Sequence, residues 1–183
     1  EVVFNTAMTG YPESLTDPSY SGQLMVLTYP LVGNYGVPPR TFEANGLATF
    51  MESEKIHAEA IIVSDYSFEY SHWNAVESLG SWLKDEKVAG IYGIDTRELT
   101  KLLREKGSMK GKIVFDAADE IDFVDPNLIN QVDIVSCKEV ITYGNGSKKV
   151  VLVDCGVKHN IIRCLLKRDV TVIRVPWNYD FTN

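Results

Sequence analysis

The segment from Lys149 to Trp177 constrains the fold most, because it reads as two strands separated by one helix. Residues 149–156 and 170–177 are apolar runs, and residues 158–169 carry apolar side chains at helical spacing. Two strands joined through a helix pair in parallel, since a crossover of this kind does not form a tight hairpin. The pattern therefore predicts one βαβ unit, the opening of a parallel α/β sheet.

The upstream sequence begins with strand-like runs and then takes on helical spacing. In residues 1–40, short apolar runs are bounded by Gly, Pro, Asn and Asp, which indicates strands joined by structured loops. Further on, apolar spacing of three and four predicts helices at 45–51 and 71–83, the second with Ser71 as its N-cap. A buried strand is expected between them at 57–65.

Two more elements are predicted before the acidic middle of the chain. Residues 88–94 read as a strand. Residues 95–107 read as a helix that Asp95 or Thr96 caps and Gly107 closes. The sequence from 117 to 130 is acidic and loop-like, so no regular element is expected there.

The strongest linker signal is the Gly-Asn-Gly-Ser cluster at residues 144–147. We therefore expect an amino-terminal domain of layered β/β/α type at 1–142, a linker at 143–148, and an incomplete second domain at 149–183. The chain begins without Met and ends in what reads as the middle of a fold, so we expect both ends to be cut from something longer.

Charge and cysteine content exclude several classes of function. The chain has 18 Lys and Arg against 25 Asp and Glu, a formal net charge of -7 that disfavours a general nucleic-acid or anionic-membrane binder. No stretch approaches the roughly 20 apolar residues of a membrane helix. The 3 cysteines are widely spaced, which argues against a disulfide framework and a zinc site and favours a reducing, cytoplasmic setting.

The densest motif is the loop at residues 9–23, in which two glycines and two prolines restrict the backbone to one shape. Asp17 and Pro18 begin a type I turn that contains Ser19. On spacing alone, Ser19 and Asp17 merely satisfy the turn. The alternative is that the Ser19 hydroxyl faces a small polar ligand.

This motif also carries a family resemblance. Four long motifs occur in order: EVVFNTAMTGYPESLTDPSYSGQ, LTYPLVGNYGVPP, GIYGIDTRELTKLLREKGSMKGKI and VVLVDCGVKHNIIR. Together they resemble the small subunit of glutamine-dependent carbamoyl-phosphate synthase, or the matching part of a larger multifunctional pyrimidine-synthesis protein. The resemblance implies that residues 149–183 open a class I glutamine amidotransferase domain with a flavodoxin-like parallel sheet.

The resemblance also implies a function. In that family the amidotransferase hydrolyses glutamine with a Cys nucleophile and a His-Glu pair, and ammonia passes to a large synthetase subunit that uses bicarbonate, ATP and Mg. Ser19 then takes the place of a serine that touches glutamine. The family's Gly-x-Cys-x-Gly and Asn-Gly-Pro-Gly patterns do not occur in this sequence. We therefore expect this chain alone to be inactive and to bind no cofactor and no metal.

Two rivals remain open at this point. One is the ammonia-dependent mitochondrial form of the enzyme, in which the amidotransferase region is only structural or allosteric. The other is a free-standing binding module without a catalytic partner. The resemblance implies that the longer protein containing this chain makes carbamoyl phosphate for pyrimidine or arginine synthesis.

Three cationic side chains are candidates for partner contact or loop support. Arg97 and Arg104 lie on one face of the helix predicted at 95–107, with Lys101 between them, opposite its leucines. They could pair with acidic groups of the synthetase, support the Ser19 loop, or form an ordinary solvated face in which Lys101 pairs with Glu105. Lys158 follows the first strand of the second sheet, at the edge where such sheets bind ligands and partners.

Cys155 invites a different interpretation. It lies where a strand meets a helix N-terminus, beside Asp154 and close to His159, a setting typical of reactive cysteines. The spacing does not match a nucleophile turn, so we expect Cys155, like Cys137 and Cys164, to have a packing role.

Overall fold

The computed structural model of the chain describes residues 1–116 and 120–182. Residues 117–119 of the loop predicted at 117–130 lie outside these described residues. Within them the strands are β1 (Val2–Asn5), β2 (Leu24–Leu27), β3 (Leu31–Val32), β4 (Ala60–Ile62), β5 (Asp65–Tyr66), β6 (Ala89–Ile91), β7 (Ile141–Tyr143), β8 (Lys148–Asp154) and β9 (Val170–Pro176). The helices are α1 (Tyr11–Leu15), α2 (Leu79–Asp85), α3 (Thr96–Lys106), α4 (Gln131–Val135) and α5 (His159–Leu166).

The first sheet is parallel and has the strand order β1-β2-β4-β6. Alternation along its strands sends neighbouring residues to opposite faces. Met25 and Ile61 pack with Trp82 of α2 on one face, whereas Val26 and Ile62 pack with leucines of α3 on the other. Both faces are therefore covered, as a parallel sheet requires. The shorter strands β3 and β5 form a separate parallel pair.

The second sheet has the order β7-β9-β8. Strands β8 and β9 are parallel and α5 connects them, which confirms the predicted βαβ unit. Ile162 of α5 and Val172 of β9 are fully buried together. On β8, Val151 and Val153 are 51% and 41% exposed, so one face of this strand has an apolar surface without a covering layer among the described residues. The chain is α/β throughout.

Two of the predicted helices do not form as expected. Residues 45–51 contain turns and bends, because Leu47 is buried in the core of the second sheet while Met51 is buried in the core of the first. The predicted 71–83 helix begins only at Leu79, with Ser78 rather than Ser71 as its N-cap. Residue Trp73 is 85% exposed and precedes the helix in irregular structure.

Other elements agree with the sequence more closely. Strands β4 and β6 lie within the ranges predicted for them, and α3 has Asp95 as its N-cap and Gly107 as its C-cap. Helices α1 and α4 and strand β7 were not anticipated. Helix α1 begins after Gly10, whose φ of 78° is in the left-handed region where glycine is favoured.

The segment predicted as a linker lies inside the second sheet. Strand β7 ends at Tyr143 and pairs antiparallel with β9, and β8 begins at Lys148. The Thr171 hydroxyl donates to the carbonyl oxygen of Gly146 at 2.8 Å. Residues 141–143 thus belong to the second sheet, and the division at 142 and 149 stays a prediction. Among the described residues, no helix has the length and apolar character needed to cross a membrane.

Candidate functional site

The turn that contains Ser19 is fixed by its neighbour Asp17. Residues Pro18–Tyr20 form one turn of 3-10 helix, and the Oδ1 atom of Asp17 accepts the backbone N–H of Ser19 at 2.9 Å. The Ser19 side chain is exposed, and its hydroxyl has no hydrogen-bond partner within residues 1–116 and 120–182. Asp17 therefore satisfies the turn and leaves the Ser19 hydroxyl available to a ligand.

The base of this turn is hydrogen-bonded to the segment that precedes β4. His57 donates its backbone N–H to the carbonyl oxygen of Leu15 at 2.9 Å. The Ser53 hydroxyl donates to the carbonyl oxygen of Thr16 at 2.6 Å and lies 3.1 Å from Nε2 of His57. Burial of the His57 imidazole, followed by the positive charge of Lys55, lowers its pKa to about 4. The neutral imidazole is therefore part of the support of the turn.

The turn is clamped to the second sheet by the loop between β8 and α5. Nζ of Lys158 lies 3.2 Å from Oδ2 of Asp17, so one carboxylate both caps the turn and pairs across the two sheets. Gly156 adopts a φ of 97°, and a Cβ atom there would lie 3.2 Å from Cβ of Pro18 and 2.9 Å from Cγ2 of Val135. This close approach makes the two loops one unit. We call the contact of residues 17–19 with residues 154–158 the interloop clamp.

A buried ion pair holds the second half of the clamp. Asp154 is fully buried, and its Oδ2 atom lies 2.6 Å from Nη2 of Arg174. Its oxygens also accept backbone N–H groups from Cys137, Gly156 and Val157. Burial opposes ionisation, but these hydrogen bonds and the guanidinium outweigh it, so the pKa of Asp154 lies below its usual value. The carboxylate fixes the shape of the loop after β8.

The first turn of α5 is attached to the segment before β4. His159 is buried, accepts the backbone N–H of Ala48 at its Nδ1 atom at 2.9 Å, and has Glu54 3.3 Å from its Nε2 atom. Nη1 of Arg163 donates to the carbonyl oxygen of Ala48 at 2.6 Å, and the Glu52 carboxylate accepts the backbone N–H of Asn160. Helix α5 is therefore fixed against the first part of the chain.

These contacts decide the interpretation of Cys155. Asp154 pairs with Arg174, and His159 is occupied by Ala48 and Glu54, so neither serves as a base for the thiol. Cys155 is exposed, which makes the packing role expected for it wrong, and the same is true of Cys164. The described residues contain no group of three or more His, Cys, Asp or Glu side chains able to hold a metal ion.

Ser19 and Cys155 line a common recess of about 240 Å³ beside α4, which we call the Ser19 recess. Gln131 of α4 also lines it, and its Oε1 atom accepts the Ser21 hydroxyl at 3.0 Å. Sequence reasoning missed Gln131, since nothing in the local pattern relates it to a loop more than a hundred residues upstream. The structure thus brings Lys158 to the turn that carries Ser19, through its ion pair with Asp17.

Arg97 and Arg104 lie elsewhere, on α3. With Lys101 they line a second recess of about 430 Å³, which we call the α3 recess. Neither arginine has a hydrogen bond to the loop at residues 9–23 within the described part of the chain. Lys101 pairs with Glu98 at 2.9 Å rather than with the expected Glu105.

The fold and the site together define an α/β protein in which a rigid turn from one parallel sheet is clamped to the first strand–helix loop of another. The family described as "Carbamoyl-phosphate synthase small chain, CPSase domain" matches residues 1–113. The chain belongs to this carbamoyl-phosphate synthase small-chain family, as its resemblance to that small subunit predicts.

Curated relatives extend the match over the rest of the chain. The human protein named "Carbamoyl-phosphate synthase (ammonia), mitochondrial" is 52% identical over 100% of this chain and 12% of its own length. The "Carbamoyl phosphate synthase arginine-specific small chain" of Eremothecium gossypii is 51% identical over 98% of this chain and 47% of its own. The "Multifunctional protein CAD" of Squalus acanthias is 50% identical over 99% of this chain and 8% of its own. The chain therefore spans a part of each relative.

Proposed function

We propose that this chain is part of a glutamine-dependent carbamoyl-phosphate synthase, in which it positions the glutamine-hydrolysing domain on the synthetase and contributes Ser19 to the glutamine pocket. The observation that supports this most is the free Ser19 hydroxyl, exposed on a turn that is fixed by Asp17 and clamped to the second sheet. Because the turn is already rigid, little conformational entropy is lost when a ligand binds to the Ser19 hydroxyl.

Glutamine suits such a position chemically. A serine hydroxyl both donates and accepts, so it can bind the carboxylate or the ammonium group of an amino acid. The missing nucleophile and His-Glu pair would come from the continuation of the second domain, which residues 149–183 begin. The uncovered apolar face of β8, at Val151 and Val153, is where further layers of that flavodoxin-like sheet would pack.

The synthetase is the proposed partner. It would hold ATP and Mg and receive ammonia from glutamine, for carbamoyl phosphate used in pyrimidine or arginine synthesis. The proposed role of Lys158 is to support the Ser19 turn, because its ion pair with Asp17 fixes that turn. Arg97 and Arg104 are exposed on α3, so contact with acidic groups of the synthetase, which the sequence offered as one role for them, is compatible with their position.

A second candidate is the ammonia-dependent form, because the human relative carries ammonia in its name and is 52% identical to this chain. Here the amidotransferase region would have a structural or allosteric role only, and the location would be mitochondrial instead of the predicted cytoplasm. The identity to the fungal arginine-specific small chain, whose name does not mention ammonia, is 51%, so sequence identity does not favour the ammonia-dependent form.

Glutamine hydrolysis by the full protein that carries this chain separates the candidates. We expect hydrolysis that increases with ATP and bicarbonate. Ser19→Ala should raise the KM for glutamine roughly tenfold, with a smaller change in kcat, because a ground-state contact is lost. Ser81→Ala, an exposed serine on α2, is the matched control and should change neither value.

Three outcomes contradict the proposal. Carbamoyl phosphate made from ammonia without glutamine hydrolysis would establish the ammonia-dependent form. Equal KM values for Ser19→Ala and Ser81→Ala would remove Ser19 from the glutamine pocket. Failure to co-purify with, or be fused to, a synthetase would indicate a free-standing binding module.

A further inference from the structure

The α3 recess lies at the carboxyl edge of the first sheet. Thr6 directly follows β1, Thr28 directly follows β2, and Ser64 lies two residues after β4. All three line the recess together with Arg97 and Arg104 of α3. In open parallel sheets this edge is where ligands bind, because the strand ends and helix N-termini converge there. The recess is separate from the Ser19 recess, and the two share no lining residue.

The arginines of this recess differ from every other arginine of the chain. Each of the others donates to a carboxylate or carbonyl oxygen of the protein; these are Arg40, Arg163, Arg168 and Arg174. Within the described residues, Arg97 and Arg104 donate to no oxygen. This is notable in a chain of net charge -7, which offers 25 Asp and Glu residues as partners. Two unpaired guanidinium groups on one side of a cavity are a strong attraction for an anion.

Five hydroxyl side chains line the recess; Thr96 is buried in the first turn of α3, and the other four divide into two kinds. Thr28 and Thr100 donate their hydroxyls to backbone carbonyl oxygens, at 3.2 Å and 2.7 Å, so they have no proton left for a ligand. The hydroxyls of Thr6 and Ser64 have no hydrogen-bond partner in the part of the chain that the structure describes, and both can donate. Donors therefore face the recess from two strand ends and from α3.

The negative charges nearby are already engaged. Asp95 lines the recess, but its Oδ1 atom accepts the backbone N–H of Glu98 at 2.9 Å as the N-cap of α3. Glu98 pairs with Lys101. Arg97 and Arg104 are therefore the cations of the recess without an acceptor, beside the Asp95 carboxylate, which caps α3 and has no ion-pair partner among the described residues.

We infer that the α3 recess binds a small oxyanion, either inorganic phosphate or the phosphoryl group of a small molecule. A tetrahedral oxyanion accepts from several directions, which matches two guanidinium forks and two hydroxyls placed around one cavity. A volume of about 430 Å³ is within the range of small-ligand sites, so the recess has room for an oxyanion and for a small molecule that carries one. The inference does not depend on the proposed glutamine role.

Isothermal titration of the full protein with inorganic phosphate tests the inference. The double variant R97Q/R104Q should weaken phosphate affinity by roughly tenfold or more, because both bidentate donors are lost. The matched control K106Q/K167Q removes the same charge at exposed positions outside the recess and should stay within about twofold. Urea unfolding of each variant verifies that the fold is kept.

A parallel titration with ribose 5-phosphate identifies the source of the oxyanion. Tighter binding of the sugar phosphate than of inorganic phosphate would support a phosphorylated small molecule as the ligand, and the reverse order would support the free ion. In either case, R97Q/R104Q should weaken binding of the preferred probe by roughly tenfold or more.

Two results would overturn the inference. The first is no saturable binding of either probe up to about 10 mM, a range that covers weak specific sites. The second is equal loss of affinity in the two double variants, which would show a general charge effect. If R97Q/R104Q prevented assembly with the synthetase while neither probe bound, the recess would be a protein-docking surface instead of an oxyanion site.

Discussion

The interloop clamp and the α3 recess use charge in opposite ways. In the clamp, Asp17 pairs with Lys158 and Asp154 pairs with Arg174, so the charges are neutralised inside the protein. In the α3 recess, Arg97 and Arg104 have no anionic partner among the described residues. Paired charges with backbone hydrogen bonds fix a loop, whereas unpaired charges around a cavity stay available to something that is not part of the chain.

The same contrast applies to the hydroxyl groups. Ser53 and Ser21 donate to other parts of the chain and hold its segments together. Ser19 donates to nothing within the described residues, although it lies on a turn that is otherwise fully fixed. A free polar group on a rigid support is therefore the feature that the two candidate ligand sites have in common.

The largest loss of stability is expected when the buried ion pair between Asp154 and Arg174 is broken. Asp154→Asn leaves the Arg174 guanidinium buried with a neutral partner, and we expect it to lower the free energy of unfolding by about 3 kcal/mol or more. Urea unfolding followed by circular dichroism measures this. Asp65→Asn, an exposed aspartate on β5, should stay within about 0.5 kcal/mol. Equal stability of the two variants would show that the clamp does not depend on its buried charge.

The second effect is a pH dependence of the free energy of unfolding, which arises from His57 at the base of the Ser19 turn. The pKa of His57 is about 4 in the folded chain, against an ordinary value of 6.5 for a solvated histidine, so the unfolded chain takes up the proton first. Stability is then complete above pH 6.5 and falls as the pH decreases to 4, by up to about 3 kcal/mol.

His57→Gln should flatten this part of the stability profile. His72→Gln is the matched control, because it replaces an imidazole in the segment before α2, away from the Ser19 turn. Parallel profiles for the wild-type chain and His57→Gln would exclude His57 as a neutral support of the turn.

A smaller effect on stability is expected for the interloop pair. The Lys158 side chain is 43% exposed, so Lys158→Gln should cost less than about 1 kcal/mol. Its consequence should appear in the KM for glutamine, which we expect to rise several-fold with little change in kcat, because the Ser19 turn loses its attachment. Lys167→Gln at the end of α5 is the control. A loss of stability without a change in KM would make Lys158 purely structural.

The smallest effect on stability is expected in the α3 recess. Arg97→Gln and Arg104→Gln remove charges that pair with nothing in the described residues, so the free energy of unfolding should change by less than about 0.5 kcal/mol. This is the direct test of the contrast with the clamp, measured by the same urea unfolding as Asp154→Asn. A cost above about 1.5 kcal/mol would show that these arginines hold the fold rather than a ligand.

Several elements could be predicted because local chemistry agrees with the tertiary environment. Helix α3 begins at a side-chain cap on Asp95 and ends at Gly107, and the βαβ unit of β8, α5 and β9 follows from two apolar runs around an amphipathic segment. Here each residue's own preference and its burial point to the same structure.

The wrong predictions come from apolar residues whose spacing is coincidental. Leu47 and Met51 are four residues apart, yet they are buried in different cores, and the chain between them makes turns in order to reach both. The N–H and carbonyl groups of Ala48 bond to His159 and Arg163 instead of to a helix. No local pattern contains this information, because the partners are more than a hundred residues away.

By itself, the sequence determined the α/β class, the parallel βαβ unit, the capped helix α3, the family, and Ser19 as a residue of interest, since these depend on short spacings and on motifs. Only the tertiary structure decided that Lys158 clamps the Ser19 turn, that the Ser19 hydroxyl has no partner in the described residues, that His159 is not a base for Cys155, and that Arg97 and Arg104 are unpaired. These properties depend on which groups meet across long separations in the chain, and the free energy of a polar or charged group is set by the partners it finds there.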